Sequence, residues 1–189
     1  GMELGILSKP KLNFIKVSKN YKIMELRKYA DVYDAAVVTN YAKNELILKT
    51  AKKHVDNNES VLILIIKIEH GKNLEEIASK IKLPVVFIQG STEADIRTKT
   101  IATLNKKTTK CVIATVVFTE GVDIPELNVI INAAGGKSET RTLQSIGRGL
   151  RKTATKSNVT IYDVFDPSHR FLIEHFGERL CIYFDNGWL

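Results

Sequence analysis

The segment Gln144-Ser-Ile-Gly147-Arg148-Gly-Leu-Arg151 carries the side chains best suited to chemistry in this chain of 189 residues. At about 100° per residue, a helix through it lines up Leu143, Ile146 and Leu150 as an apolar stripe. Gln144, Arg148 and Arg151 then gather roughly 130° away, on a face free to reach outward. Gly147 falls between the two faces, where a side chain would block close approach, although glycine costs about 1 kcal/mol relative to alanine inside a helix. Two guanidiniums one turn apart, with a carboxamide above them and a glycine beside them, suit an anion with several oxygens, such as a polyphosphate. Two arginines on a helix would equally form an ordinary solvated basic face. The neighbouring segments decide between these readings.

Ahead of that helix, Ala114-Thr115-Val-Val-Phe-Thr119-Glu120-Gly121-Val-Asp123-Ile-Pro125 leaves the end of a strand. The hydroxyls of Thr115 and Thr119, with nearby backbone amides, can hold phosphate oxygens of a nucleic acid. Gly121 permits a positive φ or close backbone approach, and Asp123 can accept from a ribose hydroxyl. The alternative is a plain strand-to-strand loop in which Asp123 caps a turn. Gly135-Gly136-Lys137-Ser138 ends like a phosphate loop, but Ile131 stands where the first glycine of that motif belongs, inside a strand. A full cradle of amides cannot form there, so the chain is not expected to hold a nucleoside triphosphate alone. The histidines at 54, 70, 169 and 175 have no metal-ligand spacing, and no nucleophilic triad can be assembled. Arg97, Lys99, Lys106, Lys107 and Lys110 read as solvated surface.

Strands and helices alternate around these segments. Residues 61–66 form an apolar run typical of a strand buried on both faces, followed by Leu74, Ile77, Ala78 and Ile81 at helical spacing. Residues 84–88 are the next strand. Gln89-Gly90-Ser91 then turns into a helix carrying Ile96, Ile101 and Leu104, with Thr92 and Asp95 spaced for a capping box. Residues 110–115, 129–131 and 159–165 supply three more strands, the two-faced helix lying between the last two. Such alternation predicts an α/β fold, a three-layer parallel sheet with helices on both faces and ligands gathered at the strands' carboxyl ends. Residues 35–38 read as a short strand, Asn40 as the cap of a helix running toward His54, and residues 169–179 as a closing helix. Residues 1–34 read as a linker or N-terminal arm, and 35–189 as the domain.

Composition fits this picture. With 44% apolar residues the chain can bury one sizeable core, and 28 lysines and arginines against 21 acidic residues give +7, favouring polyanionic partners. The longest apolar run is too short to span a bilayer and no signal-like segment opens the chain, so a soluble cytoplasmic protein with no membrane partner is expected. Cys111 and Cys181, each in an apolar strand-like stretch, are expected to be buried, reduced thiols. Gly1 before Met2 looks like the residue left by a cleaved tag, so the natural chain is expected to continue beyond one or both ends.

Three segments together, Phe87-Ile-Gln-Gly90, the stretch from Ile113 to Pro125, and Gln144 to Arg151, resemble the second motor lobe of superfamily two helicases in order and spacing. Residues 61–71 and Ile161-Tyr-Asp-Val-Phe-Asp166 also look like family strands, and the likeness covers about residues 35–180. Within the superfamily it is most similar to the XPB-like and UvsW-like DNA repair and recombination helicases. The resemblance implies a RecA-like C-terminal domain that closes over ATP and Mg2+ held mainly by an N-terminal motor lobe of the same polypeptide. It assigns Arg148 and Arg151 as arginine fingers toward the γ-phosphate, worth about 10³ to 10⁵ in rate for such groups, and Gln144 as a coupling residue. Gly121, Asp123 and Gly147 fall to the nucleotide side. Thr115, Thr119 and the Gln89-Gly90 turn, a turn expected to depend on Gly90, fall to the grip on a nucleic-acid backbone. Many members carry histidine where this chain has Gln89. The expected activity is that of an ATP-dependent DNA helicase or translocase acting on single-stranded or forked DNA, with the isolated lobe inactive. An RNA helicase lobe of the same superfamily and a noncatalytic nucleic-acid-binding module are the rivals.

Overall fold

A computed structural model describes residues 10–116, 122–137, 143 and 159–189. Among these, six strands form one sheet: β1 Lys11–Lys16, β2 Val61–Ile65, β3 Val86–Ile88, β4 Cys111–Thr115, β5 Val129–Asn132 and β6 Thr160–Phe165. Their order is β1-β6-β5-β2-β4-β3, with every neighbouring pair parallel. The helices are α1 Tyr21–Met24, α2 Tyr29–Tyr33, α3 Tyr41–Asp56, α4 Ile68–Lys80, α5 Ala94–Asn105 and α6 Arg170–Asp185. The predicted three-layer α/β architecture is therefore present.

The central strands are apolar on both sides because both sides are covered. On one face, Ile63, Ile65, Ile113 and Ile131 pack against Ile47, Leu48 and Ala51 of α3 and Leu74, Ile77 and Ala78 of α4. On the other, Leu62, Leu64, Val112 and Ile130 meet Leu104 of α5, Tyr183 of α6, and Ile124, Leu127 and Leu143. Gly71 lets α4 lie close to the sheet: a Cβ there would overlap the Phe87 ring and stand 2.8 Å from Ile65 Cδ1.

Residues 10–34 depart from the expected linker or arm. β1 completes the sheet edge beside β6, burying Ile15 while Lys11, Phe14 and Lys16 stay exposed. An edge strand buries only part of one face and carries lysines toward solvent, so its apolar alternation is too weak to read as core. Residues 35–38 are not a strand either. They belong to a π-helical turn, Asp34–Val38, closed when the Thr39 backbone N–H donates to the Asp34 carbonyl at 2.9 Å and its hydroxyl donates to the same oxygen at 2.8 Å. Ala36, Val37 and Val38 are buried with Ile23, Val32 and Tyr33 in a third apolar cluster. Tertiary packing thus overrides the strand preference of two valines.

Two smaller expectations also change. The capping box at Thr92 and Asp95 does not form, because α5 starts at Ala94 and its cap residue, Glu93, makes no side-chain capping bond. Thr92 is engaged in the preceding turn instead. Cys111 is buried as expected, but Cys181 is exposed on α6 rather than buried in a strand. Asn40 does cap α3, its Oδ1 accepting from the Lys43 backbone N–H at 3.1 Å. Among the described residues no helix is long and apolar enough to cross a membrane.

Candidate nucleic-acid and nucleotide edge

All strands being parallel, their carboxyl ends share one edge of the sheet, and the connections leaving β2 and β4 diverge there. β2 runs into α4 on the first face, whereas Ile124 and Leu127 of the connection after β4 pack on the second. Adjacent strands whose connections part to opposite faces leave a crevice at their carboxyl ends. Thr115 closes β4 at this point, paired with Ile65 of β2. Its side chain is buried, and its Oγ1 has no hydrogen-bond partner among the described residues. A buried hydroxyl left unsatisfied costs about 1 to 3 kcal/mol, which makes Thr115 a natural acceptor of a further contact.

Gln89 lies one position beyond the Ile88–Ala114 register pair, so the Gln89-Gly90 turn and Thr115 stand on neighbouring strands, about 4.8 Å apart. The sheet therefore brings together two of the predicted nucleic-acid contacts. The turn does not depend on Gly90. The Gln89 backbone N–H donates to Thr92 Oγ1 at 3.1 Å, and the Thr92 N–H donates back to the Gln89 carbonyl at 3.0 Å. A Cβ on Gly90 would meet nothing within 4 Å, so what the glycine provides is open room beside an exposed backbone.

Asp123 is exposed on the connection that leads to β5. The far end of that connection is tied down: Lys107 Nζ donates to the Glu126 carbonyl at 3.1 Å and to Asn128 Oδ1 at 2.6 Å. Lys107 is therefore not the solvated residue expected of it. Thr119, Gly121, Gln144, Gly147, Arg148 and Arg151 lie outside the described residues. Of the predicted apolar stripe, Leu143 is helical and 1% exposed, packed into the second-face core.

The turn after β5 is the root of the arginine segment, and a buried charge network unforeseen in the sequence holds it. Gly135 and Gly136 take φ of 62° and 69°, a left-handed pair that turns the chain out of the sheet. The Tyr33 hydroxyl donates to the Ala134 carbonyl at 2.6 Å, and Arg179 Nη1 donates to the Gly136 carbonyl at 2.7 Å. Arg179 also donates through Nε to Asp163 Oδ2 at 2.9 Å and through Nη2 to Asp163 Oδ1 at 3.0 Å. Tyr183 donates its hydroxyl to Asp163 Oδ2. Burial works against the charge of Arg179, but the Asp163 carboxylate outweighs it and raises the pKa. Burial, followed by that same carboxylate, raises Tyr183.

A second buried pair lies nearby, Lys43 Nζ to Asp166 Oδ2 at 3.1 Å. Here burial lowers the Lys43 pKa by more than Asp166 restores. Asp166 Oδ1 accepts from the Ser168 N–H at 2.9 Å, and Ser168 Oγ accepts from the Asn20 N–H at 2.8 Å. The available signal was an aspartate inside the apolar strand Thr160–Phe165, followed by another at its end.

The family model for the helicase conserved C-terminal domain matches residues 42–153. The ATP-dependent DNA helicase uvsW of Enterobacteria phage T4 is 30% identical over 133 residues, 69% of this chain and 26% of that protein. The ATP-dependent RNA helicase dbp-3 of Neurospora crassa is 26% identical over 123 residues, 65% of this chain and 20% of that protein. The crystal structure of T4 UvsW superposes with a TM-score of 0.76 at 23% identity, covering 94% of this chain and 40% of that one. The chain thus spans about a quarter or less of the length of these two relatives.

Proposed function

We propose, given that this chain belongs to the helicase conserved C-terminal domain family, that it is the second motor lobe of an ATP-dependent DNA helicase or translocase. The observation that carries this reading is the shared carboxyl edge, where the Gln89-Gly90 turn and the unsatisfied Thr115 hydroxyl stand side by side. Backbone amides and hydroxyls at such an edge hold phosphates without reading bases, as a motor that tolerates any sequence requires.

Among the described residues Gly135-Gly136 is spent on a turn with Ile131 inside β5, so no phosphate loop forms there. In this reading ATP and Mg2+ sit mainly on an N-terminal lobe of the same polypeptide. This lobe brings Arg148 and Arg151 to the γ-phosphate, where fixed guanidiniums stabilise transition-state charge, while Gln144 senses the nucleotide and Asp123 with Gly121 lies near the ribose. Gly147 leaves the approach open, and Thr115, Thr119 and the Gln89-Gly90 turn grip the strand. Opening and closing between lobes alternates that grip. A cytoplasmic setting goes with this reading.

The similarity to a fungal RNA helicase supports a second substrate reading, since a backbone grip distinguishes the sugars only where a 2′-hydroxyl is read. ATP turnover by the two-lobed protein with single-stranded, duplex and forked DNA and with RNA separates them. Stimulation by single-stranded or forked DNA is expected. Stimulation by RNA alone overturns the DNA assignment, and no turnover with any of them leaves a noncatalytic binding module. A phosphate loop and acidic magnesium motif encoded upstream of Met2 are the corresponding genetic signature.

A further inference from the structure

Beside the carboxyl end of β1 lies a groove of about 670 Å3, lined by Lys16, Lys19, Tyr21, Lys22, Asn40 and Lys43 among others. It belongs largely to residues 16–22, outside the segment 42–153 matched by the family. No aspartate or glutamate lines it. Lys43 is already committed to Asp166 at 3.1 Å, which leaves Lys16, Lys19 and Lys22 exposed and without a carboxylate partner among the described residues. Tyr21 is 67% exposed, with Lys19 Nζ 5.4 Å from its ring centroid. The walls are fixed, because the Asn20 N–H donates to Ser168 Oγ and Ser168 is bonded in turn to the buried Asp166.

We propose that this groove is an auxiliary site for single-stranded nucleic acid, with Lys16, Lys19 and Lys22 neutralising backbone phosphates and Tyr21 stacking on a base. It rests on the nucleic-acid reading of the lobe and extends it to a segment outside the family match. Lysines alone would suit any polyanion, but lysines flanking an exposed aromatic ring match the two needs of a single strand, charge along the backbone and a platform for a base. Position agrees as well. In a parallel sheet the groove lies on the same edge as Thr115, four strand spacings or about 19 Å away, and as Gln89 and Gly90, five spacings or about 24 Å away. A strand held at β3 and β4 can thus continue along that edge to β1.

The test is fluorescence anisotropy of a labelled oligodeoxythymidylate against this chain over a salt series. The variant Lys16→Gln/Lys19→Gln/Lys22→Gln should bind at least tenfold more weakly near 0.1 M salt, its log–log salt slope reduced by about 2, as expected for three lost single-strand phosphate contacts. A charge-matched variant at exposed positions elsewhere, Lys49→Gln/Lys53→Gln/Lys72→Gln, should stay within threefold. Tyr21→Ala should lose about tenfold and Tyr21→Phe almost nothing. An oligonucleotide carrying 5-iododeoxyuridine should photocrosslink to Tyr21. Equal loss in the two lysine variants, or retention of the chain by phosphatidylserine vesicles but not by the oligonucleotide, overturns the proposal. Failure of the groove with DNA-stimulated ATP turnover intact removes this site alone, whereas failure of turnover removes the motor reading.

Discussion

Arg179 on α6 holds Asp163 on β6 through Nε and Nη2 at 2.9 and 3.0 Å, and its remaining nitrogen bonds the Gly136 carbonyl at 2.7 Å. One planar fork thereby joins a strand, the last helix and the turn that leads into the arginine segment. No lysine could replace it, since a single ammonium cannot present two parallel donors to a carboxylate and a third to a carbonyl.

Arg179→Ala strands the Asp163 carboxylate in the core and should cost about 3 to 5 kcal/mol in urea unfolding. Arg179→Lys should recover part of that loss. An alanine variant within 1 kcal/mol of the parent, on the scale of an ordinary surface change, would show that the network adds little.

His70 makes the fold acid-sensitive. The Asn44 Nδ2 donates to the Val38 carbonyl at 3.2 Å, so its Oδ1 faces His70 Nε2 at 2.8 Å and that nitrogen carries the proton. Nδ1 is buried without a partner among the described residues, and burial, aided by the Lys43 charge, lowers the pKa from 6.5 to about 3. The unfolded chain then binds the extra proton first, so stability present above pH 6.5 is lost as pH falls toward 3. Between pH 6.5 and 4.5 the loss should be about 2 kcal/mol by urea titration. His70→Gln should flatten the slope in that window. An unchanged slope would assign the acid sensitivity to other groups.

Gly71→Ala should destabilise by about 1 to 3 kcal/mol, because its Cβ has to displace both the Phe87 ring and Ile65 Cδ1. Adding Phe87→Leu should return part of that stability, a coupling that a double-mutant cycle measures directly.

Much of the sheet was legible because β2, β4 and β5 are short apolar runs set between helical patterns, and burial on both faces is what such runs encode. A turn at Gln89-Gly90 is present, but its geometry comes from Thr92 rather than from the Gly90 the sequence pointed to. β1 was missed because an edge strand with lysines on its open side has little periodic signal. The stretch 35–38 was misread because a run of four small apolar residues suits a buried strand or a buried helical turn, and only its neighbours Ile23 and Val32 decide. The Asp163–Arg179 pairing spans a strand and a helix, and no local pattern records which lone charges will meet.

Thiol chemistry should follow burial. Cys111 is pushed up to about 12 by burial, whereas Cys181 is exposed on α6. A disulfide reagent at pH 8 should titrate one thiol in the native chain and both after denaturation. Rapid native titration of both would mean that the β4 core opens readily.

In the two-lobed protein, Arg151→Ala should nearly abolish ATP turnover, by about 10³-fold or more for an arginine finger, while strand affinity changes only severalfold. Equal loss of both would place that arginine on the strand instead of the nucleotide.

The sheet's margin pairs Lys11 with Thr160, partners from opposite halves of the chain. Of the six strands β1 is made before the other five and waits unpaired until β6 follows, because among the described residues no strand between them pairs with it. Long-range pairing of this kind slows folding and leaves a nascent edge open to adventitious association. Arrival of β6, more than the growth of the central strands, therefore sets the moment at which this margin closes.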